Sequence, residues 1–315
     1  MQGGNAENIE DAGAGLMAVI DLGSNSFQML LVEALNGKVI EIAKFREKVQ
    51  LAAGLDDEGR LQEATLCRAY QCLSRFAGEI ADLDRRNVRA VGTEALRRAV
   101  NRAEFVARAQ QLLGVPVAVI SGEDEARLIY EGVIAEADQP DLITLVLDVG
   151  GGSTEMAVGR SGMLEAQASV ALGCVGCSRR FFPEQKTSPA EFAEAVSLMQ
   201  QQLSLLPEQI RGSYWQQAIG TSGTILAIEK TVVENGWCRR GISRTALQQL
   251  VERVCAGQTV MQMGLAGVPE DRADIFIAGV AITVALFNEL NLEHLKTSPY
   301  TLREGLIYAM LEEVD

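Results

Sequence analysis

Two stretches of the chain end an apolar run on an aspartate and follow it with glycine and short polar side chains: AVIDLGSNS over 18–26 and LVLDVGGGSTE over 145–155. Glycine lets backbone N–H groups converge without a Cβ in the way, and concave rows of such donors bind phosphate oxygens. Ser24, Asn25 and Ser26 in the first stretch are therefore candidate phosphate-binding residues, as are Gly150, Gly151, Gly152, Ser153 and Thr154 in the second. A third glycine-hydroxyl loop, AIGTSGT over 218–224, adds Gly223. None has the lysine of a Walker loop, and GGGSTE lacks the spacing of a dinucleotide fingerprint. Each taken alone could be an ordinary turn between a strand and a helix.

An aspartate beside a phosphate loop places two anions together, and a divalent cation between them resolves the conflict. Mg²⁺ takes one or two carboxylates and completes its shell with water and phosphate oxygens, so Asp21 and Asp148 are candidate ligands, direct or through water. Capping of the loop is an equal alternative for Asp21. Three basic stretches could balance the phosphate charge: KFREK with Lys44, Arg46 and Lys48, TEALRRAVNR with Arg97, Arg98 and Arg102, and SRRFFPEQK with Arg179, Arg180 and Lys186. On a strand the first three would share one face. Arg97 carries the most weight, because it follows a strand and a glycine turn and a guanidinium grips phosphate with two parallel donors. The stretch VPVAVISGEDEARLIYEGV runs a strand into Ser121 as an N-cap, with Asp124 three residues on. Glu123, Asp124 and Glu125 together exceed what a helix dipole requires, so one of them is expected to face a cleft.

Apolar runs at 16–20, 88–92, 115–120, 143–147 and 217–220 read as the strands that position these loops, and 63–83 keeps the three/four spacing of a buried helix face. Strands alternating with helices make an α/β protein. The echo between the Asp21 and Asp148 stretches lies about one domain length apart, as a duplicated unit with two facing loops would place it.

A chain of 315 residues with 48% hydrophobic residues suits two domains. A formal charge of −14 argues against a nucleic-acid coat or an anionic-membrane binder, so any anionic substrate must be met by local donors. No apolar run reaches the ~20 residues of a membrane helix, and MQGGNAENIEDAGAG lacks the pattern of a secretion signal, so a cytoplasmic protein with a loose tail over 1–15 is expected. Six cysteines suit reduced thiols, and with one histidine the Cys174/Cys177 pair is a weak zinc candidate.

The blocks AVIDLGSNSFQMLLVE, VGTEALRRAVN, ISGEDEARLIYEGV, LVLDVGGGSTEMAVG, LGCVGCSRRFF, IGTSGTILAI and LREGLIY, in that order from about residue 16 to 312, resemble those of the exopolyphosphatase and guanosine pentaphosphate phosphohydrolase family. The resemblance implies two ribonuclease H-like domains around a cleft, of the acetate kinase, sugar kinase, Hsp70 and actin type. Domain I would span 16–130 and domain II 131–301, with the last helix, 302–315, packing back on domain I. By position it implies Glu125 as catalytic base and Glu155 as the second catalytic carboxylate. Asp148 would be associated with Mg²⁺ or Mn²⁺, together with Glu155 and Asp21. Asn25, Gly150 to Ser153 and Arg97 would contact phosphate, and the 220–224 loop would lie where related kinases hold adenosine. A homodimer is implied as well. The SPYTLREG segment lacks the glycine usual before Leu-Arg-Glu-Gly, and the helical domains of longer members are not in this sequence, so it resembles the short form.

The expected activity is release of orthophosphate from the end of inorganic polyphosphate, with hydrolysis of guanosine pentaphosphate to the tetraphosphate as the nearest competitor. A non-hydrolytic sensor of the same fold is disfavoured by the two glutamates, and a sugar kinase by the lack of a recognisable sugar site.

Overall fold

The computed structural model describes residues 15–35, 38–212 and 214–313. The expected tail therefore lies, but for Gly15, outside the described residues. The first half contains β1 (Gly15–Leu22), β2 (Phe27–Leu35), β3 (Lys38–Glu47), β4 (Val88–Gly92) and β5 (Val117–Val119), with α1 (Glu63–Glu79), α2 (Glu94–Arg98) and α3 (Arg102–Leu113). α4 (Gly122–Ile134) leads into the second half. There β6 (Thr144–Val149), β7 (Thr154–Arg160), β8 (Met163–Val170), β9 (Gln217–Thr221), β10 (Ile242–Ser243) and β11 (His294–Thr297) form the sheet. Its helices are α5 (Cys174–Phe181), α6 (Pro189–Leu203), α7 (Glu208–Arg211), α8 (Ser222–Glu234), α9 (Arg244–Val254) and α10 (Phe276–Glu289), and α11 (Leu302–Glu312) ends the described chain.

The two sheets have one topology. The first runs β3-β2-β1-β4-β5 and the second β10-β11-β9-β6-β7-β8. With β6, β7, β8, β9 and β11 counted as strands one to five, the second repeats the order of the first and adds β10 at its edge. In each, the first three strands are antiparallel and the fourth is parallel to the first. This is the duplication that the echoed loops imply and the ribonuclease H-like architecture that the resemblance implies, and all five apolar runs form strands, although 115–120 shortens to three residues of β5.

Strand alternation gives each sheet two apolar faces. Ala18, Ile20 and Leu22 point outward into a core shared with Leu73 and Phe76 of α1 and Phe105 of α3. Leu145, Leu147 and Val149 do the same among Ile225 of α8 and Val280, Ile282 and Leu286 of α10. The inward faces, Met17, Val19, Leu30 and Val32 on one sheet and Val146, Ala157 and Ile219 on the other, share a second core with α4 and α11. Those two helices form the connection between the halves: α4 packs on β7 and β8, and α11 packs on β1 and on α4. The boundary expected after residue 130 falls within α4. The α4–α11 crossing is close because both helices carry glycine there, and a Cβ on Gly132 would stand 2.5 Å from the Gly305 nitrogen.

Candidate active site

The strand register brings the polar ends of the two sheets face to face. Asp21 on β1 pairs with Gln28 on β2, and Gln28 pairs with Arg46 on β3. In the second sheet Asp148 on β6 pairs with Glu155 on β7, which pairs with Ser169 on β8. The duplication thus sets Asp21 and Gln28 where the other half has Asp148 and Glu155. Between the rows lies a cavity of about 440 Å³ lined by Asp21, Ser24, Asn25, Ser26, Gln28, Glu125, Asp148, Gly150 to Ser153, Glu155 and Gly223, among others. Residues from opposite ends of the chain are brought to one place.

The glycines are bare chiefly because the opposing protein loop needs the space. A Cβ on Gly151 would lie 3.1 Å from both the Asn25 Cβ and backbone nitrogen, and one on Gly152 would overlap the Glu94 carboxylate. The Gly150 N–H is taken by the carbonyl of Ser153 at 2.9 Å, so it closes the turn and is not free for phosphate. Thr154 is a second departure from the expected donor set. It is fully buried, and its hydroxyl donates to the Leu172 carbonyl at 2.6 Å, outside the cavity lining.

Glu125 is brought in by α4. Ser121 caps that helix by accepting from the Asp124 N–H at 3.0 Å, and of the three acids that follow only Glu125 is buried. Arg97, on α2, stands behind it: one guanidinium nitrogen donates to Glu125 Oε2 at 2.6 Å and to the Ile120 carbonyl at 3.2 Å. The other is 3.8 Å from Glu155 Oε1 and 3.5 Å from Ser153 Oγ. Arg97 in this structure pairs with the two glutamates and does not line the cavity. Glu155 also accepts from Ser169 Oγ at 2.7 Å.

Burial and mutual repulsion hold these acids toward the protonated form. Asp21 is pushed up to about 7, by burial first and then by Glu125. Asp148 is likewise pushed up to about 7 by burial, Glu125 and Asp21. Glu155 is raised well above the usual carboxylate range by burial, then by Glu125 and Asp148. Glu125 is raised by burial, with Arg97 pulling the other way.

Asp21 Oδ1, both polar atoms of the Asn25 amide and Ser26 Oγ are buried and have no hydrogen-bond partner among the described residues. Unmet groups of this kind are costly unless a ligand completes them. Donors on Asn25 and Ser26 suit phosphate oxygens, and the bare oxygen of Asp21 across from Asp148 suits a cation. No group of three or more histidine, cysteine or acidic residues forms a metal cage among the described residues. Mg²⁺ needs only one or two carboxylates when water and phosphate complete its shell. Cys174 and Cys177 are buried, and Cys174 Sγ lies 3.4 Å from Thr224 Oγ1.

The cationic wall was only half legible. Lys44 and Arg46 line the cavity as the alternation predicts, while Lys48 pairs with Asp274 at 2.9 Å. Arg98 turns to Glu94 and Arg102 to the Arg97 carbonyl. Arg179 bonds the Ala53 carbonyl, Arg180 lies over Phe181, and Lys186 pairs with Glu184. The sequence reading assigned no role to Gln28, Lys230, Arg272 or Arg303, all on the cavity wall. Arg272 lies against Gly223, where a Cβ would overlap its guanidinium. The internal echo could have found Gln28, and the LREGLIY block contains Arg303, but Arg272 follows no glycine loop.

Comparison with known proteins places this geometry. Residues 19–314 match the model of the Ppx/GppA phosphatase family. An exopolyphosphatase from Cytophaga hutchinsonii is 25% identical, with a TM-score of 0.85 over 95% of this chain and 99% of that one. The Aquifex aeolicus PPX-GPPA enzyme is also 25% identical, with a TM-score of 0.78 over 94% of this chain and 100% of that one.

Proposed function

The chain belongs to the Ppx/GppA phosphatase family, and from that premise we propose that it is an exopolyphosphatase, hydrolysing the terminal phosphoanhydride of inorganic polyphosphate to release orthophosphate. The observation that carries the reading is the set of four acids on one cavity, Glu125, Asp148 and Glu155 buried and Asp21 half-buried with its Oδ1 enclosed, together with the unpartnered polar atoms of Asn25 and Ser26. Acids beside an anion site are a liability for a protein that only binds, and an asset for one that must activate water.

Glu125 takes the proton from the attacking water as its oxygen bonds to the terminal phosphorus and the bridging P–O bond breaks. The shortened chain leaves with the electron pair of that bond. The raised proton affinity of Glu125 lets it hold the proton. Glu155 fixes the electrostatics around it, and Arg97 bonds Glu125 at 2.6 Å and orients it. Asn25, Ser26, Ser24, Ser153 and the N–H groups of Gly151 and Gly152 supply donors to the phosphate oxygens, and most of the catalysis is positioning and charge stabilisation of this kind. Mg²⁺ or Mn²⁺ held by Asp21 and Asp148, with Glu155 beside them, would neutralise charge on those oxygens.

A second reading is favoured by one further feature. Beyond Gly223 the cavity wall brings apolar Leu226, Ala227, Pro269 and Ile275 between Lys230 and Arg272, a mixed surface that could take the flat face of a base. Guanosine pentaphosphate would present the same terminal anhydride with its nucleoside on that wall. Phosphate release from each substrate with Mg²⁺, by the unsubstituted chain and by Glu125→Gln, separates these readings. Tight binding of either without release by the unsubstituted chain would identify a sensor.

A further inference from the structure

Arg303 breaks three local rules at once. It is the second residue of α11, after the N-cap Thr301 and Leu302, where a cation opposes the helix dipole. It is only 5% exposed. Its guanidinium, with five donors, is also poorly satisfied. Among the described residues its hydrogen bonds are two long ones to Thr301 Oγ1, at 3.4 and 3.3 Å. The single carboxylate within ion-pair range among the described residues, Glu304, is 4.0 Å away and is itself engaged, capping the Thr301 N–H at 2.7 Å and lying 3.6 Å from Lys44. A buried guanidinium left in this condition is costly unless an anion completes it. Sequences tolerate such conflicts at functional sites.

The side chain lines the cavity beside Asp21 and Asp148. Both aspartates feel its charge, but neither pairs with it. The helix that carries it is locked to the one that carries Glu125, because Gly305 lies so close to α4 that a Cβ there would overlap the Leu128 carbonyl. Arg303 and Glu125 therefore occupy the first turns of two helices whose spacing is fixed by backbone contact.

We propose that Arg303 is a catalytic residue that grips the non-bridging oxygens of the phosphoryl group under attack, while Glu125 prepares the water. This rests on the phosphoanhydride hydrolysis proposed above. A guanidinium suits the task, since its planar fork meets two phosphate oxygens at once.

The test pairs turnover with binding. Arg303→Lys and Arg303→Ala are each expected to lower kcat about 10²–10³-fold, in the range for loss of one preorganised charge donor. Added guanidinium is expected to restore part of the turnover of Arg303→Ala. A purely structural arginine would give no such rescue. Binding of tripolyphosphate with Mg²⁺, measured by calorimetry in the Glu125→Gln background, is expected to weaken at least tenfold on adding Arg303→Lys. Should Arg303→Ala fail to fold, the lysine variant carries the test alone. Turnover and tripolyphosphate affinity of Arg303→Lys within twofold of their references would overturn the assignment. If the unsubstituted chain releases no phosphate, the hydrolase reading fails, yet the calorimetric comparison still decides whether Arg303 grips phosphate. Absence of tripolyphosphate binding by the unsubstituted chain overturns both.

Discussion

Glu125 is held between two opposing influences. Burial raises its proton affinity, and the Arg97 guanidinium at 2.6 Å lowers it. Removing Arg97 leaves burial unopposed, so Arg97→Ala is expected to move the acid limb of the kcat/KM profile to higher pH. An acid limb that stays in place would show that Glu125 is not the base it reports. Glu125→Gln is expected to cost about 10²–10⁴-fold in kcat, the usual contribution of a general base, while tripolyphosphate affinity measured by calorimetry stays within a few-fold. Glu125 was legible in part, because three successive acids in a first helical turn are more than the dipole needs, and burial selects it from Glu123 and Asp124. Its arginine partner was named from sequence as a phosphate ligand. The structure turns it toward the carboxylates, since a sequence shows a cation but not which of several anions it will meet. Arg272 and Arg303 were unassigned for a related reason: their meaning comes from the fold, which carries distant segments to the Asp21 loop.

At the scale of the elements, the strands and their order were readable because alternation and the Asp-x-Gly echo both depend on local sequence. The purpose of the glycines was not. Gly151 and Gly152 are bare largely to admit Asn25, Ser24 and Glu94, a contact between segments far apart in the chain. Gly132 and Gly305 lie in the ISGEDEARLIYEGV and LREGLIY blocks, but nothing local to either block shows that the two meet to set the α4–α11 crossing. Gly305→Ala would drive a methyl group into the Leu128 carbonyl. Backbone on both sides leaves little room to yield, so a loss of about 3 kcal/mol or more in unfolding free energy is expected, at the upper end for overpacking. Gly176→Ala, on the exposed side of α5 with nothing within 4 Å of its Cβ, is the matching control. There alanine should stabilise by up to about 1 kcal/mol through helix propensity. Chemical denaturation of both variants checks the contrast, and equal effects would mean that the crossing is looser than the contacts imply.

Taken whole, the molecule closes two like-folded halves over a concentration of buried acid. Arg46 meets Asp271 at 2.7 Å and Lys48 meets Asp274 at 2.9 Å, joining the β3 side of the cleft to the segment before α10. This closure has a consequence for stability. Asp21 and Asp148 hold their protons up to about pH 7 in the folded chain, against the ordinary aspartate value of 3.8. Between about pH 4 and 7 the folded state binds more protons than the unfolded state, so these two groups make stability fall as pH rises through that window. Below it both states are protonated and the groups contribute nothing, and above it their full cost is present. A divalent cation between the aspartates would favour their ionised forms and remove that cost. Mg²⁺ is therefore expected to raise the unfolding midpoint more at pH 8 than at pH 5, and Asp148→Asn should both flatten the decline of the metal-free protein across the window and shrink the Mg²⁺ effect. Thermal denaturation at the two pH values, with and without Mg²⁺, measures each quantity. An equal Mg²⁺ shift at both pH values, unchanged by Asp148→Asn, would place the cation elsewhere and leave Asp21 to answer to Arg303, and Asp148 to Arg272 and Arg303.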